Sequence, residues 1–282
     1  MTPLAWVFAV LAVGLLVLSS VLAVRLRGVR ARVGKDLSTA HTEHTSLQAR
    51  AADLQRSNAE LEQFAYLASH DLQEPLRKVA SFCQLLQRRY AGKLDARADQ
   101  YIEFAVDGAK RMQALINDLL AFSRVGQAAV EPSLVSSDMA LAQARANLAE
   151  EIEKSGARIE AGHLPLVLAE PPLLTAVFQN LLSNAVKFSG PAPPRIVINA
   201  IQNGRQWLFS FTDYGIGIEP QYADRVFVLF QRLNERSAYP GTGVGLAMCR
   251  KIIEYFGGRI WLDVNAEGTR FCFTLPGEED DE

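Results

Sequence analysis

The run Asn180-Leu181-Leu182-Ser183-Asn184-Ala185-Val186-Lys187-Phe188 fits few environments. At helical spacing Asn180, Asn184 and Lys187 fall at i, i+4 and i+7, on one face. Leu181, Leu182, Ala185 and Phe188 fill much of the remainder. The segment must therefore be packed on most sides while one polar stripe stays available. Two amides and an ammonium suit an anion and its metal better than they suit water. Two glycine clusters follow, Asp213-Tyr214-Gly215-Ile216-Gly217-Ile218 and Gly241-Thr242-Gly243-Val244-Gly245-Leu246. Asp213 ends a predicted strand. A carboxylate only accepts hydrogen bonds, so it suits the exocyclic amine of adenine, where guanine offers a carbonyl. Gly215 and Gly217 let the backbone approach a base closely. The second cluster precedes a helix predicted to begin near Leu246. Its free amides form an anion site for phosphates. Together the three segments predict a nucleotide pocket.

Around them the pattern is that of an α/β layer, with helices on one face of a mixed sheet. Helices are predicted near 138–155, 171–187 and 243–256. Arg195–Ile201 and Trp207–Thr212 are β-rich and read as a hairpin turning at Asn203-Gly204. Arg259–Val264 and Thr269–Leu275 form a later pair of strands. Ser189–Pro194 is a Pro-rich loop, and residues 278–282 form an acidic tail.

Upstream of 131 the periodicity is different. Leu47, Ala51, Leu54, Asn58, Leu61, Ala65, Ala68 and Leu72 alternate steps of four and three, a heptad seam. Asn58 lies on that seam, where a buried amide sets register. Ala105, Gly108, Met112, Leu115, Leu119 and Phe122 repeat the stepping in a helix expected over about 99–123. One hairpin of two such helices cannot bury all its apolar stripes. Two chains are therefore expected to pair into a homodimeric four-helix bundle.

No residue from Thr2 to Val24 is charged, a run of 23 residues. As a helix it is about 34 Å long, which matches a hydrocarbon core of about 30 Å. Arg25, Arg27, Arg30, Arg32 and Lys35 follow. A single-pass anchor in the cytoplasmic (inner) membrane is expected, with the catalytic domains in the cytosol. The net charge of -2 argues against nucleic acid as a partner. Cys83, Cys249 and Cys272 show no metal-ligand spacing and read as reduced thiols.

Residues 60–276 resemble the catalytic core of sensor histidine kinases, whose ATP-binding fold is shared with gyrase, the Hsp90 chaperone and the mismatch-repair ATPases. Phe64-Ala65-Tyr66-Leu67-Ala68-Ser69-His70-Asp71-Leu72-Gln73-Glu74-Pro75-Leu76-Arg77 is similar to the phosphoacceptor box of the phytochrome-type members. The Asn box lies at 180–188 and the two Gly boxes at 213–218 and 241–246. Phe227-Val228-Leu229-Phe230-Gln231-Arg232 is similar to the Phe box.

With the resemblance, these readings give an α+β chain in five parts: an anchor at 1–25, a basic juxtamembrane and helical linker at 26–56, a dimerisation and phosphoacceptor domain at 57–127, an ATP-binding α/β sandwich at 131–277, and the tail at 278–282. The resemblance makes His70 the phosphoacceptor, with Asp71 taking the other ring proton. The heptad count is independent of the family: with Ala65 at a and Ala68 at d, His70 falls at f, away from the seam. The resemblance also places Mg²⁺ on Asn184, with Lys187 and Asn180 near the phosphates of ATP. Arg232 and Arg236 flank a short lid at about 233–240, within reach of the γ-phosphate. Phe227 and Phe230 are expected to anchor the lid in the core.

ATP-hydrolysing relatives carry glutamate at the position of Asn180. An amide cannot act as a general base, so transfer to a side chain is favoured over hydrolysis. Glu74 stands where many relatives have Thr or Asn, which argues against strong phosphatase activity. The implied function is autophosphorylation of His70 from Mg·ATP, followed by transfer to an aspartate of a separate response regulator. The alternatives are a catalytically weak ATP-binding dimeric scaffold and a plain ATPase of the wider fold family.

Overall fold

The computed structural model describes residues 71–126, 132–233, 239 and 241–277, with residues 45, 48–50, 53 and 56 of the preceding segment. The chain divides into two units, Met1–Glu62 and Gln63–Glu282. The described residues of the first are helical. The expected anchor, the basic linker, most of the first heptad seam, His70, Arg236 and the acidic tail lie outside the described residues. Among those described, no helix is long and apolar enough to cross a membrane.

The second unit opens with a helical hairpin. Helix α1 is described over 71–90, and α2 spans Ala96–Arg124. α2 starts earlier than the heptad pattern predicts because Asp95 caps it, accepting the Ala98 amide at 2.8 Å. The turn between the helices uses Gly92, at φ +70°. Its amide donates to Asp99 Oδ2 at 3.0 Å.

Each helix carries two apolar stripes. Leu76 and Ala80 of α1 and Val106, Ala109 and Leu120 of α2 are buried, the seam within one chain, and Gln73 donates to Asn117 Oδ1 at 2.9 Å between the two helices. This inner stripe on α2 lies one residue beyond the predicted one. The second stripe is open: Leu72, Val79, Phe82 and Leu86 on α1, with Tyr101, Phe104 and Met112 on α2. Phe82 is 67% exposed and Tyr101 66%. A single chain leaves that face in water, where its burial would be favourable by about 25 cal/mol per Å².

The α/β part follows: β1 (Ser133–Ser136), α3 (Ser137–Asn147), α4 (Ala149–Ser155), β2 (Arg158–Ala161), β3 (Leu166–Ala169), α5 (Pro171–Lys187), β4 (Arg195–Asn203), β5 (Gln206–Asp213), α6 (Gly245–Tyr255), β6 (Ile260–Asp263) and β7 (Thr269–Pro276). The main sheet has the order β2-β4-β5-β7-β6. β2 runs parallel to β4 and the other pairs are antiparallel, so the sheet is mixed. β1 and β3 form a separate antiparallel ribbon.

α5 begins with Pro171 and Pro172 and no side-chain cap, which suits the first turn, where amides have no helical partner. The helix predicted over 138–155 is two helices, separated at Leu148, the C-cap of α3. The β4–β5 turn is also displaced by one residue from the predicted Asn203-Gly204. Asn203 pairs with Gln206, so the two central residues are Gly204 and Arg205. Gly204 takes φ +62° at the first of them. That is the glycine placement of a type II′ hairpin, whose twist matches the flanking strands.

The core lies between the sheet and α3, α5 and α6. Phe209 of β5 and Phe273 of β7 stack at 4.7 Å between centroids. Phe178 of α5 meets both edge-on at 6.3 Å. All three are fully buried. This cluster locks α5 onto the sheet by the face opposite its polar stripe.

Candidate functional site

Packing α5 by Leu174, Val177, Phe178, Leu181 and Leu182 leaves Asn180, Asn184 and Lys187 on the wall of a cavity of about 1030 Å³. The same cavity is lined by Asp213, Gly217, Arg232, Gly241, Thr242, Gly243, Gly245 and Leu246. Residues of α5, of the Asp213 turn, and residues 232, 233, 239 and 241–246 thus converge on one space, large enough for a nucleotide. Gly215 is not in the lining. Its place is structural and is described below.

Asp213 sits at the end of β5, 7% exposed. Its carboxylate accepts the Gly215 amide at Oδ1 (3.1 Å) and the Thr269 hydroxyl. Burial pushes its pKa up to about 6, against the lowering effect of these two hydrogen bonds. A charged group kept in such a place is costly unless a further donor arrives.

The turn after it is held by Phe188 at the end of α5, whose carbonyl accepts the Ile216 amide at 2.9 Å. A Cβ on Gly215 would stand 2.1 Å from the Phe188 oxygen. Gly215→Ala is therefore expected to lower stability by about 2–3 kcal/mol, read from the shift in the denaturant midpoint. An unchanged midpoint would show that the turn is free to move.

The glycine loop is fitted as closely. A Cβ on Gly241 would stand 2.7 Å from Lys187 Nζ, and one on Gly245 would stand 2.7 Å from Asn180 Oδ1. Asn180 Nδ2 donates to the Ala176 carbonyl at 2.9 Å. Its oxygen is thereby directed to the start of α6. Burial, and then the nearby Arg232 charge, hold the Lys187 pKa below the usual lysine value.

Arg232 Nη1 donates to Gly241 O at 2.5 Å and Nη2 to Tyr239 O at 2.6 Å. The guanidinium thus ties Tyr239 of the lid and Gly241 of the glycine loop together. The Tyr239 ring packs on Phe188 at 4.9 Å between centroids.

Phe227 is buried in the core, as expected of an anchor. Phe230 is not. It is 48% exposed and takes φ +62°, a region costly for a bulky residue. Its amide donates to Gly243 O at 3.0 Å. Phe230 ties the loop by its backbone, which corrects the expectation of a side-chain anchor.

On α1, Asp71 and Glu74 are exposed. Glu74 pairs with Lys78 at 2.8 Å. Asp71 neighbours His70 in the chain.

Three residues at the site had no sequence signal. Thr269 reaches Asp213 because β7 pairs with β5 in the register Asp213↔Thr269. Tyr239 is a lone lid aromatic. Asp118 comes from α2, and its Oδ2 accepts the Thr242 hydroxyl at 2.6 Å across 124 residues.

The Mg²⁺ that the resemblance implies at Asn184 would need oxygen donors. Among the described residues no group of three or more His, Cys, Asp or Glu can hold a metal ion. The cavity wall offers the side-chain oxygens of Asn180 and Asn184, and Asp118 sets a carboxylate against the loop at Thr242. Such a set fits a hard cation that arrives on phosphate oxygens and needs few protein ligands.

Residues 60–128 match the family model described as the His Kinase A (phospho-acceptor) domain. Residues 169–279 match the histidine kinase-, DNA gyrase B- and HSP90-like ATPase family. The chain is similar to cyanobacterial phytochrome A of Nostoc sp., 51% identical over 227 residues, which are 80% of this chain and 30% of that protein. It is similar to the phytochrome-like protein Cph1 of Synechocystis sp. at 47% identity over the same shares. Full-length ShkA, solved in complex with AMPPNP, superposes with TM-score 0.58 at 27% identity, over 76% of this chain and 45% of that one. The chain spans about 30% of the length of the two phytochrome relatives.

Proposed function

Because the chain belongs to the histidine kinase family, we propose that it is a membrane-anchored sensor kinase that phosphorylates His70 from Mg·ATP and passes the phosphoryl group to an aspartate of a separate response regulator. The observation that carries this reading is the convergence of Asp213, the α5 polar stripe and the glycine loop on one cavity. The family matches supply its context.

Asp213 accepts the adenine amine, replacing water it has lost by burial. The Gly241–Gly245 amides and the Lys187 ammonium take the phosphates. Asn184 would hold Mg²⁺, which would offset charge on the transferring group. A His70 ring nitrogen forms a bond to the γ-phosphorus as the bond to the ADP oxygen breaks, and Asp71 accepts the proton from the other nitrogen. Arg232 orders the end of the lid by holding the Tyr239 and Gly241 carbonyls.

The open stripe through Leu72, Phe82, Tyr101 and Met112 supports a homodimer, the partner helices covering it to complete a four-helix bundle. The uncharged run Thr2–Val24 and the basic cluster after it support a single-pass anchor in the inner membrane, with the kinase core in the cytosol. The proposed plan is an anchor at 1–25, linker 26–56, phosphoacceptor domain 57–127, ATP-binding domain 131–277 and tail 278–282.

Incubation with γ-labelled ATP is expected to leave acid-labile, alkali-stable label on the protein. Steady phosphate release without labelled protein would replace this reading with an ATPase. Nucleotide binding with neither would leave a scaffold.

A further inference from the structure

The last turns of α2 form part of the nucleotide cavity. Asp118, Ala121 and Val125 line it, and Asp118 Oδ2 takes the hydrogen of the Thr242 hydroxyl at 2.6 Å. The Thr242 oxygen in turn lies 3.4 Å from the Val244 amide that points to it. One turn further on, Phe122 packs on the α/β core, with the Lys251 ammonium 4.6 Å from its ring centre. Val125 is 6% exposed within that same core. Gly126 lies so close to α6 that a Cβ there would stand 3.1 Å from Tyr255 Cδ2. α2 is thus docked on α6 and the glycine loop, and the docking sets a carboxylate at the end of the cavity marked by Lys187 and Gly241.

Resting on the reading of this cavity as an adenine-nucleotide site, we propose that Asp118 makes it discriminate by terminal charge. The docked form takes a nucleoside diphosphate in preference to a triphosphate, and a bound triphosphate drives α2 off the loop. Two physical facts produce this. A carboxylate beside the loop repels the phosphate end of the ligand, and the triphosphate carries one more group to be repelled. A hydroxyl also has a single hydrogen, so Thr242 cannot donate to Asp118 and to a phosphate together. A ligand shifts a two-state equilibrium by the ratio of its affinities for the two states. The triphosphate therefore favours the released lobe, free to approach His70, and the diphosphate product favours docking.

The test uses the full chain and two probes, ADP and AMPPNP, titrated by calorimetry. In Asp118→Asn, AMPPNP affinity is expected to rise about tenfold and ADP affinity less than about twofold. Phe122→Ala, which weakens docking and leaves the charge in place, should move the ratio the same way. In the unaltered protein, hydrogen exchange over 118–126 should be faster with AMPPNP than with ADP, a comparison that needs no variant. Equal changes for the two nucleotides, or equal exchange with both bound, would overturn the role of Asp118 and leave the kinase reading standing. Failure of the unaltered chain to bind either nucleotide would remove both.

Discussion

His70→Gln is expected to reduce labelling of the protein from γ-labelled ATP by at least ~10³-fold, the scale on which loss of a nucleophile is felt. Glutamine is close to histidine in size and keeps a polar side chain, so the helix is little disturbed. Its amide nitrogen has no lone pair available for attack, whereas neutral imidazole has one at physiological pH. ADP affinity should remain within about twofold, because the described residues that line the nucleotide cavity come from the end of α2 and from the α/β part. Label retained at the original level would remove His70 as the acceptor and with it the proposed reaction. Loss of label together with loss of ADP binding would point to misfolding, which circular dichroism distinguishes.

Asp213→Asn is expected to separate stability from binding. The carboxyl has a pKa of about 6 in the fold because it is buried, against about 3.9 in an unfolded chain. Between pH 4 and 6 the folded protein therefore keeps a proton that the unfolded chain has released. The contribution of this group to stability is greatest below pH 4. It falls as pH rises through 6, and the penalty that remains above is about 3 kcal/mol. Asparagine carries no charge to desolvate, and its oxygen can still accept the Gly215 amide. The variant should therefore be more stable than the parent at pH 7 and should lose this part of the pH dependence, as urea midpoints at pH 5 and 7 would show.

ATP affinity should move the other way, down about 100-fold, because a charge-assisted hydrogen bond to the adenine amine is lost. In the parent, affinity should weaken as pH drops below about 6, where protonation puts a donor in front of a donor. Unchanged affinity in the variant would show that Asp213 does not read the base. The buried charge is thus a cost to the empty fold that ligand binding offsets, a pattern expected at a functional site.

Much of the site was legible beforehand because its determinants are local. Asn180, Asn184 and Lys187 share a face by helical periodicity alone, and the glycine clusters marked close backbone approach, although Gly215 packs against the Phe188 carbonyl outside the cavity lining. The strand pairs flanking Gly204 and 265–268 were visible for the same reason. Other features were not. β2 pairs parallel with β4, and no turn joins them to announce it. β1 and β3 are four residues each, too short for alternation to stand out. The hairpin turn moved from Asn203-Gly204 to Gly204-Arg205, because register is set by the whole ladder.

By itself the order of residues determined the long helices, the strand pairs β4–β5 and β6–β7, and which side chains form the α5 stripe. Each of these depends on steric and periodic properties acting over a few residues. Tertiary structure alone decided that Thr269 meets Asp213, that Arg232 holds the Tyr239 and Gly241 carbonyls, that Phe230 bends outward and that Asp118 reaches Thr242. Those contacts join residues up to 124 positions apart. The register of β7 on β5 and the packing of α2 on α6 bring Thr269 to Asp213 and Asp118 to Thr242, and no local periodicity encodes such a meeting.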